Sequence, residues 1–429
     1  MLSRRCQIRN EVIIPQLLRE HGPSSNPAEI IDLRNADNDF MRENLAASLS
    51  TITDDKSAAW LDLAYTNDIG GSKAVRSALA NLFKQQMKAS QDLSPEEIVL
   101  AAGTSFILDA LVEAICDPGD MIMIATPYWS GLDIPISIHN AAKVLPVSVP
   151  LDIFFAPESI RLYEYALRCA DSPVKAVLIC NPHNPLGGCY TERTLYALAN
   201  FCQANNLHLI SDEVYALSTH GMNSDDFISS HAMRDLEFVH TVYGLGKDFG
   251  CNGIRMGALR TRNEAIRLSV ALSTHSQVSS LTTRFCMKHI FNEKTIRFLL
   301  NENRISLRNN FLAVASFLQE RNLLFYPPVA GFFVFAKLCG GDEKEFGRDL
   351  GIAGVAVTSG TSYHFSERGW FRICFGISSA LLQEVLRRID LTLDTRQAGH
   401  GVCRLIADAP QTPEHIAVEA VGTDSGVRN

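Results

Sequence analysis

AGTSFILDALVEAICDPGDMIMIATPYW, residues 102–129, holds one full step of an alternating α/β pattern. Phe106 to Ile115 reads as an apolar helix, stopped by the turn signal Asp117-Pro118-Gly119-Asp120. Met121 to Ile124 then forms an unbroken apolar run. A strand of that kind suits a sheet covered on both faces rather than one open to water. At each end of this step sits a polar or aromatic group placed for chemistry: Gly103-Thr104-Ser105 before the helix and Thr126-Pro127-Tyr128-Trp129 after the strand.

Working outward, the spacing of Val75, Leu79, Leu82 and Phe83 predicts a helix after Gly70. Ser94-Pro-Glu-Glu97 looks like a helix start, and Ile98-Val99-Leu100 reads as the strand entering Gly103. Downstream, strands are predicted at Val144–Val149, Val174–Cys180, Leu207–Asp212, Phe238–Val242 and Met256–Leu259. Helical stretches such as Thr191–Gln203 lie between most of them. Beyond Arg262 the texture changes to longer helices, Arg297–Glu320 the clearest, and to the strands Gly331–Phe335 and Trp370–Phe375. The expected organisation is α/β: a large domain over 36–261 with a mostly parallel sheet, and a smaller α+β domain over 262–392. An N-terminal arm, 1–35, would pack on the small domain or on a partner, and 393–429 would be a loose tail.

Composition narrows the partners. The chain has 39 basic and 47 acidic residues in 429, a net charge of −8, so nothing calls for a nucleic-acid partner. Eleven cysteines are scattered without a CxxC pair, which fits buried reduced thiols better than a disulfide framework or metal cluster. Neither an apolar signal region nor an uncharged run of about 18 apolar residues is visible, and cytoplasmic residence away from membranes is the expectation.

Open α/β sheets bind ligands beyond the carboxyl ends of their strands, so the polar groups at those ends are the candidates. The amides and hydroxyls around Thr104, Ser105 and Phe106 suit a phosphate. Trp129 offers a stacking face for a flat ring. Asn181-Pro-His-Asn184-Pro-Leu-Gly-Gly188 is a loop fixed by prolines and glycines, with Asn184 able to hydrogen-bond a ring oxygen. Asp212, in Ser211-Asp-Glu-Val-Tyr215, is a carboxylate suited to a protonated ring nitrogen, and Tyr215 to the ring oxygen. Lys247 lies in Tyr243-Gly-Leu-Gly-Lys-Asp-Phe-Gly250, an apolar, glycine-rich stretch in which an unpaired ammonium is costly. An aldehyde-linked lysine that later serves as a base explains its position. Arg255 suits a phosphate, and Arg372, a charge inside the apolar strand Trp-Phe-Arg-Ile-Cys-Phe, suits a carboxylate.

In this order and at these strand ends, the segments resemble the fold type I pyridoxal-phosphate enzymes. They are most similar to the class I/II aminotransferase family, in the branch near 1-aminocyclopropane-1-carboxylate synthase. The resemblance implies pyridoxal 5'-phosphate held as a Schiff base by Lys247. It assigns Asp212 to the ring nitrogen, Asn184 and Tyr215 to the ring oxygen, and Trp129 to stacking. Thr104, Ser105, Phe106 and Arg255 fall to the phosphate, and Tyr65 is expected to reach the phosphate of a partner subunit in a homodimer with shared active sites. Arg372, with Asn184 and Asp37, falls to the substrate, a small α-amino acid. Ala36-Asp37-Asn38 resembles the Ala-Glu-Asn motif of the cyclopropane-forming branch, with its acid one methylene shorter. Where the family has small hydroxyl residues three before and often directly before the lysine, this chain has Gly244 and Gly246, which implies a reduced phosphate grip.

The activity implied is transfer of the amino group to a 2-oxo acid. The alternative is a C–S lyase, or an enzyme like the cyclopropane-forming synthases, acting on a sulfur-containing amino acid. A member of the family reduced to regulation or assembly fits poorly with intact Lys247, Asp212 and Arg372. A dinucleotide-dependent oxidoreductase lacks its GxGxxG fingerprint, which Gly244-Leu-Gly246-Lys-Asp-Phe249 breaks at the last position.

Overall fold

Unbroken apolar runs become the strands of one seven-stranded sheet. The structure, a computed structural model, describes residues 30–49, 68–90, 92–221, 227–233 and 236–399, together with Gln7 and Glu11. In chain order the strands are β1 (Ile98–Ala101), β2 (Met121–Thr126), β3 (Lys143–Ser148), β4 (Val174–Cys180), β5 (His208–Asp212), β6 (Val239–Gly244) and β7 (Gly257–Thr261). Their spatial order is β1-β7-β6-β5-β4-β2-β3. Strands β3, β2, β4, β5 and β6 are parallel, whereas β7 runs antiparallel to both neighbours, β1 and β6. It follows that β1 points the same way as β6. Six strands therefore end on one edge.

Burial follows position in the sheet. The inner strands β6 and β7 are buried throughout, while the edge strand β3 exposes Lys143, Pro146 and Ser148. Helices cover the sheet, among them Thr104–Ile115, which buries Ile107, Leu108, Leu111 and Val112, and Glu192–Ala204, whose Thr191 cap accepts from the Thr194 amide. Two expected elements differ. Ser94-Pro-Glu-Glu97 forms a complete capping box, but the turn it starts is only the 3-10 helix Pro95–Glu97. The β1 strand begins at Ile98, so burial of the apolar run outweighs the start signal.

The carboxyl-terminal residues build a four-stranded antiparallel sheet, Thr358–Ser359, Trp370–Cys374, Phe333–Lys337 and Phe325–Tyr326 in spatial order. The helices Glu293–Glu320 and Ser379–Gly399 pack around it in a core that includes Leu307, Val314, Leu350 and Ile389. The closing helix runs past the expected boundary at 392 to Gly399, because Leu386, Ile389 and Leu393 continue its buried stripe. Ile31–Asp32 pairs in parallel with Val355–Ala356 in a separate two-stranded sheet, just before Thr358–Ser359 of the four-stranded one. Among the described residues, no helix is long and apolar enough to cross a membrane, and no cluster of His, Cys, Asp and Glu is arranged for a metal ion.

Candidate active site

The shared edge of the strands opens into a cavity of about 450 Å³. Ends of β1, β2, β4, β5 and β6 contribute Thr104, Trp129, Asn184, Asp212 and Lys247 to its wall, and the carboxyl-terminal sheet contributes Arg372. Residues Arg34 to Asp37 close another side. The placement is the one an open α/β sheet favours, since strands of one direction converge their ends there.

Lys247 follows β6 directly, on the one-turn helix Leu245–Asp248. Its Nζ donates to the Ala36 carbonyl at 2.8 Å. Burial, with Arg372 nearby, brings the amine down to about 8. Asp212, at the end of β5, is 5% exposed, and its Oδ1 has no hydrogen-bond partner among the described residues. Burial raises its carboxyl to about 7. An orphaned buried carboxylate oxygen on a cavity wall is expensive unless a ligand completes it, and a protonated ring nitrogen is such a ligand.

Arg372 is buried at 2% exposure in the central strand of the small sheet. It donates to Asn184 Oδ1 at 3.1 Å and to the Arg34 carbonyl at 2.6 Å, while its guanidinium carbon lies 5.3 Å from the Phe333 ring centre and 5.4 Å from that of Tyr363. Its Nε is buried without a partner, and no ion pair is formed with it among the described residues. A carboxylate arriving in the cavity would meet a fixed guanidinium. Tyr215 stands edge-on to Phe332 and Phe333, and burial pushes its hydroxyl well above its ordinary value, so it stays a donor.

The other end of the cavity is more open. The helix Thr104–Ile115 starts after Gly103, at φ +99, with no side chain capping it. Gly103, Thr104 and Ser105, at this uncapped start, line the cavity. Arg255, itself in the left-handed region at φ +55, lays its guanidinium over Gly103, where a Cβ would overlap it, and donates to the carbonyls of Asn252 (3.0 Å) and Ala102 (3.2 Å). Uncapped amides beside an arginine suit a phosphate. Trp129 lines the cavity with its ring folded back over Gly131.

Not every expected residue joins the site. Phe106 is 47% exposed and lies off the cavity wall, since at this helix position its side chain points outward. Tyr65 lies outside the described residues. Asn252, His183 and Tyr128 line the cavity without having been singled out. Tyr128 stacks on His364 at 4.4 Å and bonds Asp133, and His183 sits among Phe154 and Phe155 with its pKa lowered by burial to about 3. The glycines before the lysine are also not gaps. A Cβ at Gly244 would come within 2.7 Å of the Thr104 methyl, and one at Gly246 within 2.5 Å of Asn252 Oδ1. The space of the missing hydroxyls is filled from neighbouring elements.

The cavity thus offers a lone carboxylate, a buried amine of lowered pKa, a phosphate cradle and an arginine, in the arrangement a pyridoxal phosphate site needs. Residues 28–389 match the family model for aminotransferase class I and II. A probable aminotransferase of Claviceps purpurea, tcpI, is 42% identical over 404 residues, covering 91% of this chain and 95% of its own length. 1-Aminocyclopropane-1-carboxylate synthase 6 of Oryza sativa subsp. japonica is 31% identical over 409 residues, covering 88% of this chain and 75% of its own. Among solved structures, an aspartate aminotransferase mutant of Thermus thermophilus superposes with a TM-score of 0.73 at 24% identity, covering 91% of this chain and 99% of the other. The fold is therefore that of the fold type I enzymes, and the chain belongs to the class I and II aminotransferase family, whose cofactor is pyridoxal 5'-phosphate.

Proposed function

We propose that this chain removes the Cα proton of a small α-amino acid with Lys247 and passes the amino group on to a 2-oxo acid. The observation that carries the reading is the buried, partnerless Oδ1 of Asp212 in the same cavity as the Lys247 amine. Bound pyridoxal phosphate supplies an electron sink, which a carboxylate at its ring nitrogen strengthens. The protein's own groups do the rest. Arg372, fixed by Asn184 and the Arg34 carbonyl, takes the substrate carboxylate and so sets which bond at Cα is presented. The Lys247 amine, brought down to about 8, is partly neutral near physiological pH and accepts the proton at Nζ. Trp129 and the 34–37 segment limit access of water.

The likeness to the probable aminotransferase of Claviceps purpurea supports amino transfer. A second reading, loss of a sulfur-bearing group from the side chain, is favoured by Asp37. This acid stands in the cavity wall beside Lys247, in a segment like that of the cyclopropane-forming synthases. The two readings separate when the protein is incubated with amino acids in the presence and absence of a 2-oxo acid. Amino transfer that requires the acceptor supports the first. Release of 2-oxo acid, ammonia and thiol without acceptor, or a cyclopropane product, replaces it with the second.

A homodimer with shared active sites belongs to the same proposal. Leu268 and Leu272, four residues apart on one helix, are 49% and 78% exposed in the single chain, as an interface would leave them. A monomeric mass by light scattering would overturn it.

A further inference from the structure

The loop that carries Lys247 meets the segment Ala36–Asn38 at three points. Lys247 Nζ bonds the Ala36 carbonyl, and Asn252 Nδ2 donates to Asp37 Oδ1 at 2.6 Å. Gly250, at φ +60, lets the backbones touch: a Cβ there would overlap the Asn38 carbonyl and lie 2.7 Å from the Arg42 amide. The second oxygen of Asp37 is held by Arg42 at 3.1 Å. Of these contacts, the one from Nζ uses the atom that the cofactor and the proton transfer claim, so it is given up during turnover. The amide of Asn252 is under no such demand.

The same amide explains the residue before the lysine. Its Oδ1 occupies the place where a side chain at 246 would begin, and the Asn252 Cα lies 3.1 Å from that point. A side chain at 246 would have to displace the Asn252 amide that bonds Asp37. We propose that Asn252 is a positioning residue, a latch that holds Asp37 against the catalytic loop, and that Gly246 is glycine to make room for it. The inference rests on the reading of Lys247 as the cofactor lysine. It assigns Asn252 a role that acts through Asp37 on the charge balance at Nζ. At that amine burial, and after it Arg372, disfavours the charged form, and Asp37, Cys374 and Asp212 favour it. If the latch is released, Asp37 swings toward Arg42, and the amine loses part of the support for its charge.

The test is a cycle of Gly246→Ser, Asn252→Ala and the double variant, all as the cofactor-loaded protein. Each is followed by thermal melting, by the pH midpoint of its visible absorption, and by kcat and KM. Asn252→Ala removes one partly buried hydrogen bond and adds no bulk, so its melting temperature should fall only slightly. Its absorption midpoint should move to lower pH, and kcat/KM should fall about tenfold, one hydrogen bond's worth. Gly246→Ser should show the same shift by pushing the amide aside. The double variant, in which the latch is already gone, should show the midpoint and kcat/KM of Asn252→Ala rather than a further loss, and should melt above Gly246→Ser because the space is vacated. Losses that add in the double variant, or an Asn252→Ala protein with unchanged midpoint and kcat/KM, would overturn the latch. Asn252→Ala decides the matter alone if Gly246→Ser does not fold. An unsubstituted protein that gains no visible band with pyridoxal phosphate would instead sink the reading of Lys247.

Discussion

Asp212 and Glu213 are neighbours in sequence, both buried and both raised in pKa by burial, yet they face different worlds. Glu213 points behind the sheet, where it accepts from the hydroxyls of Ser211 (2.9 Å), Ser229 and Ser230 (2.7 Å) and from the Ser230 amide (2.7 Å). Asp212 points into the cavity with one oxygen bare. The same contrast repeats at the lysine: Asp248 takes bonds from Ser218, the Leu217 amide and Tyr243, whereas Lys247 before it faces the cavity. Alternation at the end of β5 sends one residue to the chemistry and the next to the frame, and on the helix that follows β6 the turn of roughly 100° between neighbours separates Lys247 from Asp248 in the same way. Burial alone does not distinguish them. The completeness of their hydrogen bonding does.

The contrast is open to direct attack. The largest effect is expected from Asp212→Asn, which should lower kcat by roughly 10³-fold, the scale for one lost electrostatic group in an active site, while leaving the melting temperature of the cofactor-free protein unchanged or higher. A stability loss with normal kcat would reverse the assignment. Next, Arg372→Lys keeps the charge but loses the fork held between Asn184 and Arg34. A rise in KM for the amino acid of about 10- to 100-fold is predicted from steady-state rates, with little change in cofactor affinity. Glu213→Gln should do the opposite of Asp212→Asn. It replaces an acceptor of four hydrogen bonds by a group that accepts fewer, costing about 2–3 kcal/mol in denaturant unfolding, with kcat of the folded fraction preserved.

The smallest effect is in pH. Asp212 is raised from its ordinary value to about 7, so the folded cofactor-free protein holds this proton more tightly than the unfolded chain does. Stability from this group is present below the unfolded value near 4 and is lost as pH rises to about 7. The melting temperature of cofactor-free Asp212→Asn should therefore fall less than that of the unsubstituted protein between pH 4 and 7. Parallel curves would remove Asp212 from the linkage. Asp248, raised to about 7 as well, contributes equally to both proteins and cancels.

The sheet was largely legible because its strands are buried on both faces, which leaves apolar runs such as Met121–Ile124 and Val174–Cys180 in plain view. Lys247 and Arg372 were legible as charges in apolar stretches, Asp212 as a carboxylate at a strand end and Asn184 from its proline- and glycine-fixed loop, and the structure brings all four into one cavity. Phe106 shows that spacing locates a helix start but not which of its side chains turns to the ligand: its side chain lies off the cavity wall. Asn252 was missed because its partner, Asp37, lies over two hundred residues earlier, and no local pattern marks a polar residue in a loop for such a contact. At the two glycines before the lysine the sequence shows that hydroxyls are absent but not what stands there instead: the fold sets the Thr104 methyl and the Asn252 amide against the two places.

The central claim is that Lys247 is the residue that carries pyridoxal phosphate. It is tested most directly by loading the protein with the cofactor, reducing with borohydride and mapping the modified peptide by mass spectrometry. The account predicts a single pyridoxyl adduct on Lys247, with no visible band and no adduct in Lys247→Ala. Labelling at another lysine, or a band that survives in Lys247→Ala, would contradict it.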